Sequence, residues 1–165
     1  MSASPVIPPA IYGPYPPNFP IPSHIGTPRH VYELLTGGSE GPRTYPDWVS
    51  AHYVDVRDVA KAHILALEAP PLAEKIHKRL LVSAGMFHWK DATLLLREKR
   101  PELIDRLPTD EVIEKGKLMA FAPMDNSLTE RAIGLKLEDY IKWEQVVLDT
   151  IDMLVQYEKD SAAMS

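Results

Sequence analysis

The stretch 53–70, YVDVRDVAKAHILALEAP, constrains this chain more than any other. Tyr53 to Val56 reads as a short strand that runs directly into a helix, and Pro70 with Pro71 ends that helix. Asp55 stands at the N-cap and Asp58 three residues on, the spacing of a capping box, with both carboxylates at the helix's positive end. Val56, Val59, Ala60, His63 and Leu67 fall on one stripe at helical spacing, and Ala62, Ile64, Leu65 and Ala66 widen it. Only Arg57, Lys61 and Glu68 remain as a polar edge. A helix apolar over most of its circumference is expected to pack on two sides. His63, on that stripe, reads as a hydrogen-bonded packing histidine rather than a ligand or an acid–base group.

The rest of the chain has to supply the cover. Its 16 prolines in 165 residues are about double the usual ~5% share, and they crowd Pro5–Pro22 and recur from Pro28 to Pro46. The N-terminal third is therefore extended and turning chain. VIPPAIYGP (6–14) reads as the end of a buried strand passing into a loop, because Pro8 and Pro9 cannot donate to a sheet ladder. A proline-rich loop follows over 15–28, then a short helix over 29–36 stopped by Gly37 and Gly38, then a loop over 39–52 anchored by Trp48. A helical piece at 72–77 leads to RLLVSAG (79–85), a short apolar run that reads as a buried strand. Asp91 is placed to cap DATLLLREKR, Thr109 to cap a helix over 110–118, and Ser127 with Glu130 to form a capping box for LTERAI, with Gly134 as its C′ residue. The last helix, 138–159, carries Trp143, Val147, Ile151 and Leu154 on one line. The order is α/β with only two convincing buried strands, too few for a self-sufficient sheet.

Several functions are excluded by composition. The net charge is −5 with no block of five like charges, so neither a nucleic-acid footprint nor a polybasic membrane patch is present. No cysteine is available for a disulfide or a thiolate metal site. The N-terminus lacks the basic region and apolar run of a signal peptide, and no apolar window approaches the ~18 residues of a membrane span. The expected location is cytoplasmic. TGGSEG (36–41) reads as a helix stop and turn, since PRTYPDW after it cannot open the helix that a phosphate loop requires. None of the six histidines has H-x-x-x-H spacing, so no metal site is assigned. Ser83 and Ser127 have no histidine at a telling position, and no G-x-S-x-G elbow occurs. The pairs Asp55/Asp58 and Asp149/Asp152 read as helix caps and surface charge. No catalytic residue is assigned.

HYVDVRDVAKAHILALE resembles the signature of the extended short-chain dehydrogenase/reductase family, in its dihydroflavonol-reductase-like and fungal ketoreductase-like branch, also described as NAD-dependent epimerase/dehydratases. IPPAIYGP resembles that family's strand ending in Pro and running to Gly-Pro. RLLVSAGMFHWKDATLLLREKRPELIDRLP resembles the following strand, helix and Arg-Leu-Pro loop, and MDNSLTERAIGLKLEDYIKWEQVVLDTIDMLVQ the closing segment. Together they cover the chain from about residue 6 and resemble the C-terminal half only.

The resemblance implies a partial Rossmann-type doubly wound sheet, its last two strands only, with a mostly helical substrate-binding domain. Segments 6–14 and 79–85 would be remnant sheet strands, 15–52 and 86–137 substrate-domain segments, and 138–159 the C-terminal helix. It implies an NAD(P)-dependent oxidoreductase reducing ketones or aldehydes of small organic molecules, of the kind found in secondary metabolism. Two family features have no match. No glycine-rich nucleotide loop is present, and none of the seven tyrosines is followed four residues later by the lysine of Y-x-x-x-K. The chain is therefore expected to be truncated, unable to transfer hydride or to bind NAD(P) alone, with the helix of 55–68 marking where a missing half would dock. By resemblance, Pro8, Pro9 and Ala10 match positions beside the nicotinamide ring, and Tyr15, Tyr45 and Trp48 match the part that shapes the substrate pocket. A second reading from the residues is a non-catalytic binding or accessory protein, or the partner of another reductase chain covering helix 55–68 and the strand edges. Cofactor-free catalysis in the leftover pocket is a third, with no positioned acid–base pair behind it.

Overall fold

A computed structural model describes residues 5–16, 26–47, 52–70, 79–116 and 121–163. The first strand, β1 (Val6–Ile7), breaks at Pro8–Pro9 and resumes as β2 (Ala10–Tyr12). After it come α1 (Pro28–Thr36), β3 (His52–Asp55) and α2 (Val56–Glu68). Two further short strands, β4 (Leu80–Leu81) and β5 (Gly85–Met86), precede α3 (Trp89–Lys99). Helices α4 (Asp110–Lys115), α5 (Ser127–Ile133) and α6 (Trp143–Ala163) complete the order. The helix expected over 72–77 lies outside the described residues.

The proline break lets one run of chain serve two ladders. β1 pairs in parallel with β4, Val6 opposite Leu80. β2 pairs in parallel with β3, Ala10 opposite Tyr53, and β3 pairs antiparallel with β5, Tyr53 opposite Gly85. The run expected as one strand over 79–85 is thus two pieces, because the chain turns after Leu81 to reach the other ladder. The chain is mixed α/β, as the sequence implies, with more strand pieces than the two it announces.

All four residues of β3 are buried, as befits a strand paired on both sides. Its side chains alternate between two cores, the period-2 consequence of strand geometry. Tyr53 joins Tyr12, Val31, Leu34, Phe87, Leu96, Val147 and Ile151 in the larger core, built from the sheet, α1, α3 and α6. Val54 joins Ala62, Val82, Leu135 and Tyr140 in the smaller one, under α2 and α5. An aromatic group centred on Phe87 holds the larger core: Trp143 stacks on it at 5.8 Å and 15°, and Tyr12, Tyr53 and Trp89 meet it edge-on at 5.3–5.8 Å.

A polar joint fastens the end of β2 and the start of α2 to α6. Asp55, fully buried, caps α2 by accepting from Arg57 N and receives Arg57 Nε and Nη2 as well, each contact at 2.8 Å. Arg57 Nη2 also reaches Asp149 on α6 at 2.7 Å. Gly13 donates its N–H to Thr150 Oγ1 at 3.0 Å. Gly13 holds φ +114°, and a Cβ there would lie 2.9 Å from Asp55 Oδ2, so only glycine fits this corner.

Asp58 departs from the expected capping box. Its Oδ2 accepts from the backbone N–H of Ile141, 83 residues away, and the residue is 3% exposed, so it is a tie between α2 and the start of α6 rather than surface charge. The expectation that α2 packs on two sides is also corrected. Only Asp58 and Ala62 are buried along it, while Val56, Ile64 and Leu67 are 38%, 56% and 87% exposed. His63 belongs to this open face, its Nδ1 donating to Val59 O at 2.8 Å, not to a packed one.

Smaller differences are local. Helix α3 begins at Trp89 with His88 as its N-cap, so Asp91 lies in the first turn. Helix α5 is capped at Asn126 with no side-chain bond, and Asp125 Oδ1 accepts from Ser127 N instead. Thr109 caps α4 and Gly134 takes the left-handed C-cap of α5, as the sequence leads one to expect. The segment 138–159 divides into a 3₁₀ turn at Leu137–Asp139 and α6, whose Val147, Ile151 and Leu154 are buried.

Candidate functional site

The residues that resemblance assigns to a nucleotide site sit at the break between β1 and β2. Pro8, Pro9 and Ala10 are half-buried, with Ala10 in register with Tyr53. Tyr15 is half-buried after the Gly13 corner, and burial raises the pKa of its phenol. Tyr45 packs against the larger core, as Ala10 does. It packs near Gly116, at the end of α4, where a Cβ on Gly116 would come within 2.8 Å of the Tyr45 ring. Its hydroxyl is buried and has no hydrogen-bond partner among the described residues, and burial raises its pKa. Trp48 lies outside the described residues. None of these positions lines the cleft that opens beside β5.

The glycine turn at 37–41 is not a phosphate cradle. Gly37 takes φ +85° as the helix stop, and Gly38 bridges Gly41. Gly38 N–H is spent on Thr44 Oγ1 at 3.0 Å, and Ser39 N–H on the Asp47 carboxylate at 3.0 and 3.1 Å. A phosphate cradle needs free N–H groups and no carboxylate among them. These residues do not fit the pyrophosphate end of a nicotinamide dinucleotide.

A different group of residues lines a cleft beside β5. A cleft of about 370 Å³ opens between the β3–β5 end of the sheet and the segment that carries α5. His52, Ser83, Met86, Met124, Asn126 and Glu130 are among the residues lining it. Its wall is built by long-range polar ties. The Asn126 amide clasps the Ser83 backbone, with Oδ1 accepting from Ser83 N at 3.3 Å and Nδ2 donating to Ser83 O. Thr129 Oγ1 donates to Leu81 O at 2.6 Å, and His52 Nε2 to Ala122 O at 2.9 Å. These bonds fix α5 and the strand ends as two sides of one opening. Ser83 Oγ, at a residue 3% exposed, has no hydrogen-bond partner among the described residues. Met86, Met124 and Leu137 are 42%, 38% and 60% exposed around the mouth.

Sequence reasoning passed over this cleft. In sequence Ser83 lacks a histidine partner at a telling position, and Asn126 stands beside the Ser127 capping signal. The pairing of Asn126 with the backbone of a strand 43 residues earlier has no local signature. Among the described residues, no group of three or more His, Asp or Glu side chains is placed to hold a metal ion, and no helix is long and apolar enough to cross a membrane.

No protein-family model matches the chain. Among curated proteins it is 33% identical over 152 residues to an uncharacterized oxidoreductase of Schizosaccharomyces pombe, covering 89% of this chain and 40% of that one. It is 31% identical over 132 residues to a ketoreductase of Aspergillus niger, covering 80% and 38%. It is 30% identical over 107 residues to the NADPH-dependent methylglyoxal reductase of Saccharomyces cerevisiae, covering 64% and 30%. The chain thus spans two fifths or less of the length of these relatives. Among solved structures, the yeast methylglyoxal/isovaleraldehyde reductase complexed with NADPH superposes with a TM-score of 0.65 at 25% identity, over 93% of this chain and 43% of that one.

Proposed function

We propose that this chain, similar over most of its length to the C-terminal part of NADPH-dependent reductases of the short-chain dehydrogenase/reductase type, supplies the substrate side of an NADPH-dependent reduction of ketones or aldehydes on small organic molecules. The observation that carries this reading is the superposition on the methylglyoxal/isovaleraldehyde reductase over 93% of this chain. In this proposal Pro8, Pro9 and Ala10 lie along the nicotinamide, and Tyr15, Tyr45 and Trp48 shape the pocket for the carbonyl compound. The chain works in the cytoplasm. It does not transfer hydride alone, since no tyrosine is followed by the lysine that would lower its pKa for proton donation, and the glycine turn has its N–H groups engaged.

Two measurements on the purified chain test the proposal. A branched aliphatic ketone titrated into isotope-labelled protein should shift the amides of Ala10, Tyr15 and Tyr45 as one group; no shift, or shifts scattered over the surface, would contradict it. NADPH consumption with isovaleraldehyde should not exceed the protein-free rate, and reduction at an enzymatic rate would sink the claim that hydride chemistry lies outside this chain.

A second reading is that the chain acts as a non-catalytic partner of another reductase chain. It is favoured by the open stripe on α2, where Ile64 and Leu67 are 56% and 87% exposed. Light scattering separates the two cheaply, since a monomer at all concentrations and in mixture with a reductase counts against the partner.

A further inference from the structure

The cleft beside β5 has the marks of a ligand site. Its volume of about 370 Å³ falls in the range of small-molecule pockets, roughly 300–1,000 Å³. Three large apolar side chains, Met86, Met124 and Leu137, stand partly exposed around one opening instead of being scattered singly. Two of them are methionines, whose flexible thioethers adapt to an entering molecule. At the floor, Ser83 is buried with a hydroxyl that lacks a hydrogen-bond partner among the described residues. Buried hydroxyls are ordinarily paired, so this one is a polar group that the fold leaves unsatisfied in the wall of the cleft.

The charges around the cleft select the ligand's sign. Among the described residues, the acidic ones that line it are Asp125 and Glu130, and no lysine or arginine does. Asp125 is engaged as acceptor for Ser127 N at 2.8 Å, and that bond holds its carboxyl below the ordinary carboxylate range, so it is ionised at neutral pH. Glu130 carries no side-chain partner among the described residues. Arg131 acts on Asp125 from outside the lining, yet an anion entering here would face two carboxylates, whereas a cation would find them at the rim with an apolar bed beneath.

We propose that the cleft between β5 and α5 binds a small organic cation: a protonated amine on an apolar body of roughly ten heavy atoms, its apolar part against Met86, Met124 and Leu137 and its ammonium at Glu130. Binding here needs neither nicotinamide nor hydride transfer. It therefore stands or falls separately from the reductase reading.

Three isosteric probes test it on the full chain: 2-phenylethylamine, 2-phenylethanol and 3-phenylpropionate, each followed by amide shifts of labelled protein at constant ionic strength. The amine is expected to bind with a dissociation constant on the order of 1 mM and to shift Gly85, Met86, Asn126 and Leu135 together. It should bind about threefold to fivefold tighter than the alcohol, the scale of an exposed ion pair, and the carboxylate should bind weakest. Glu130 is exposed on the helix surface, so Glu130→Gln should fold normally, lose the amine's advantage and leave the alcohol's affinity unchanged. Equal binding of all three probes, shifts away from the cleft, no binding at about 20 mM, or an amine advantage that survives Glu130→Gln would each overturn the proposal.

Discussion

The two ends of helix α2 are held very differently. At its start, Asp55 is wholly buried, clasped by Arg57 and locked to α6 through Asp149, with Gly13 fitted against it. Toward its end, Ile64 and Leu67 stand in solvent. The same 13 residues thus form part of a finished joint and part of an open face. Apolar residues around a helix therefore say how much surface it has to bury, and polar ties say where it is placed. In α2 the second question is answered by Asp55 and Asp58, and the first is answered on one side only.

Four substitutions probe that contrast, from large effect to small. Asp55→Ala removes the α2 cap and the partner of Arg57 together, and should cost about 3 kcal/mol in chemical denaturation. Gly13→Ala forces a side chain into a left-handed corner and against the Asp55 carboxylate, and should cost roughly 1–3 kcal/mol. If either proved neutral, the joint would not be the fixed end that the hydrogen bonds describe.

Asp58→Asn keeps an oxygen for the Ile141 N–H and should change stability at neutral pH by less than about 1 kcal/mol. Its signature is in pH dependence. Burial raises the Asp58 carboxyl above its ordinary value of 3.8, opposed by the Ile141 bond. The folded state therefore binds this proton more tightly than the unfolded state does. The Asp58 contribution is then fully present below the unfolded value and is lost as pH rises through the folded one. Wild type should accordingly gain stability relative to Asp58→Asn as pH falls from neutral toward 3.8, and the opposite trend would show that the tie favours the charged form. Leu67→Lys, at the open end, should shift stability by no more than about 0.5 kcal/mol in either direction. A loss as large as that of Asp55→Ala would mean that the outer face is covered in solution.

Much of this arrangement was legible in the sequence. The order of strands and helices, the Thr109 cap, the Gly134 stop and the buried line of α6 follow from propensity, capping chemistry and periodicity, all of which act within a few residues. The joint at Asp55 was half legible: its capping role is local, but its attachment to Asp149 spans 92 residues along the chain, counted from Arg57. Asp58 was misread for the same reason, because its partner is a backbone N–H far along the chain. That α2 carries a face in need of cover was legible in its apolar stripe, but which residues stay open was not, because an apolar stripe is the same in sequence whether or not a neighbour covers it. The cleft escaped altogether. It is made where the ends of β3, β5 and α5 meet, and its defining bond, Asn126 to the Ser83 backbone, is invisible to any local pattern.

The central proposal is that this chain carries the substrate side of a reductase and does not bind the nucleotide alone. Equilibrium titration of the purified chain with NADPH, followed by nicotinamide fluorescence, tests this most directly. The account predicts no saturable change up to about 1 mM NADPH. Saturable binding in the micromolar range would contradict it.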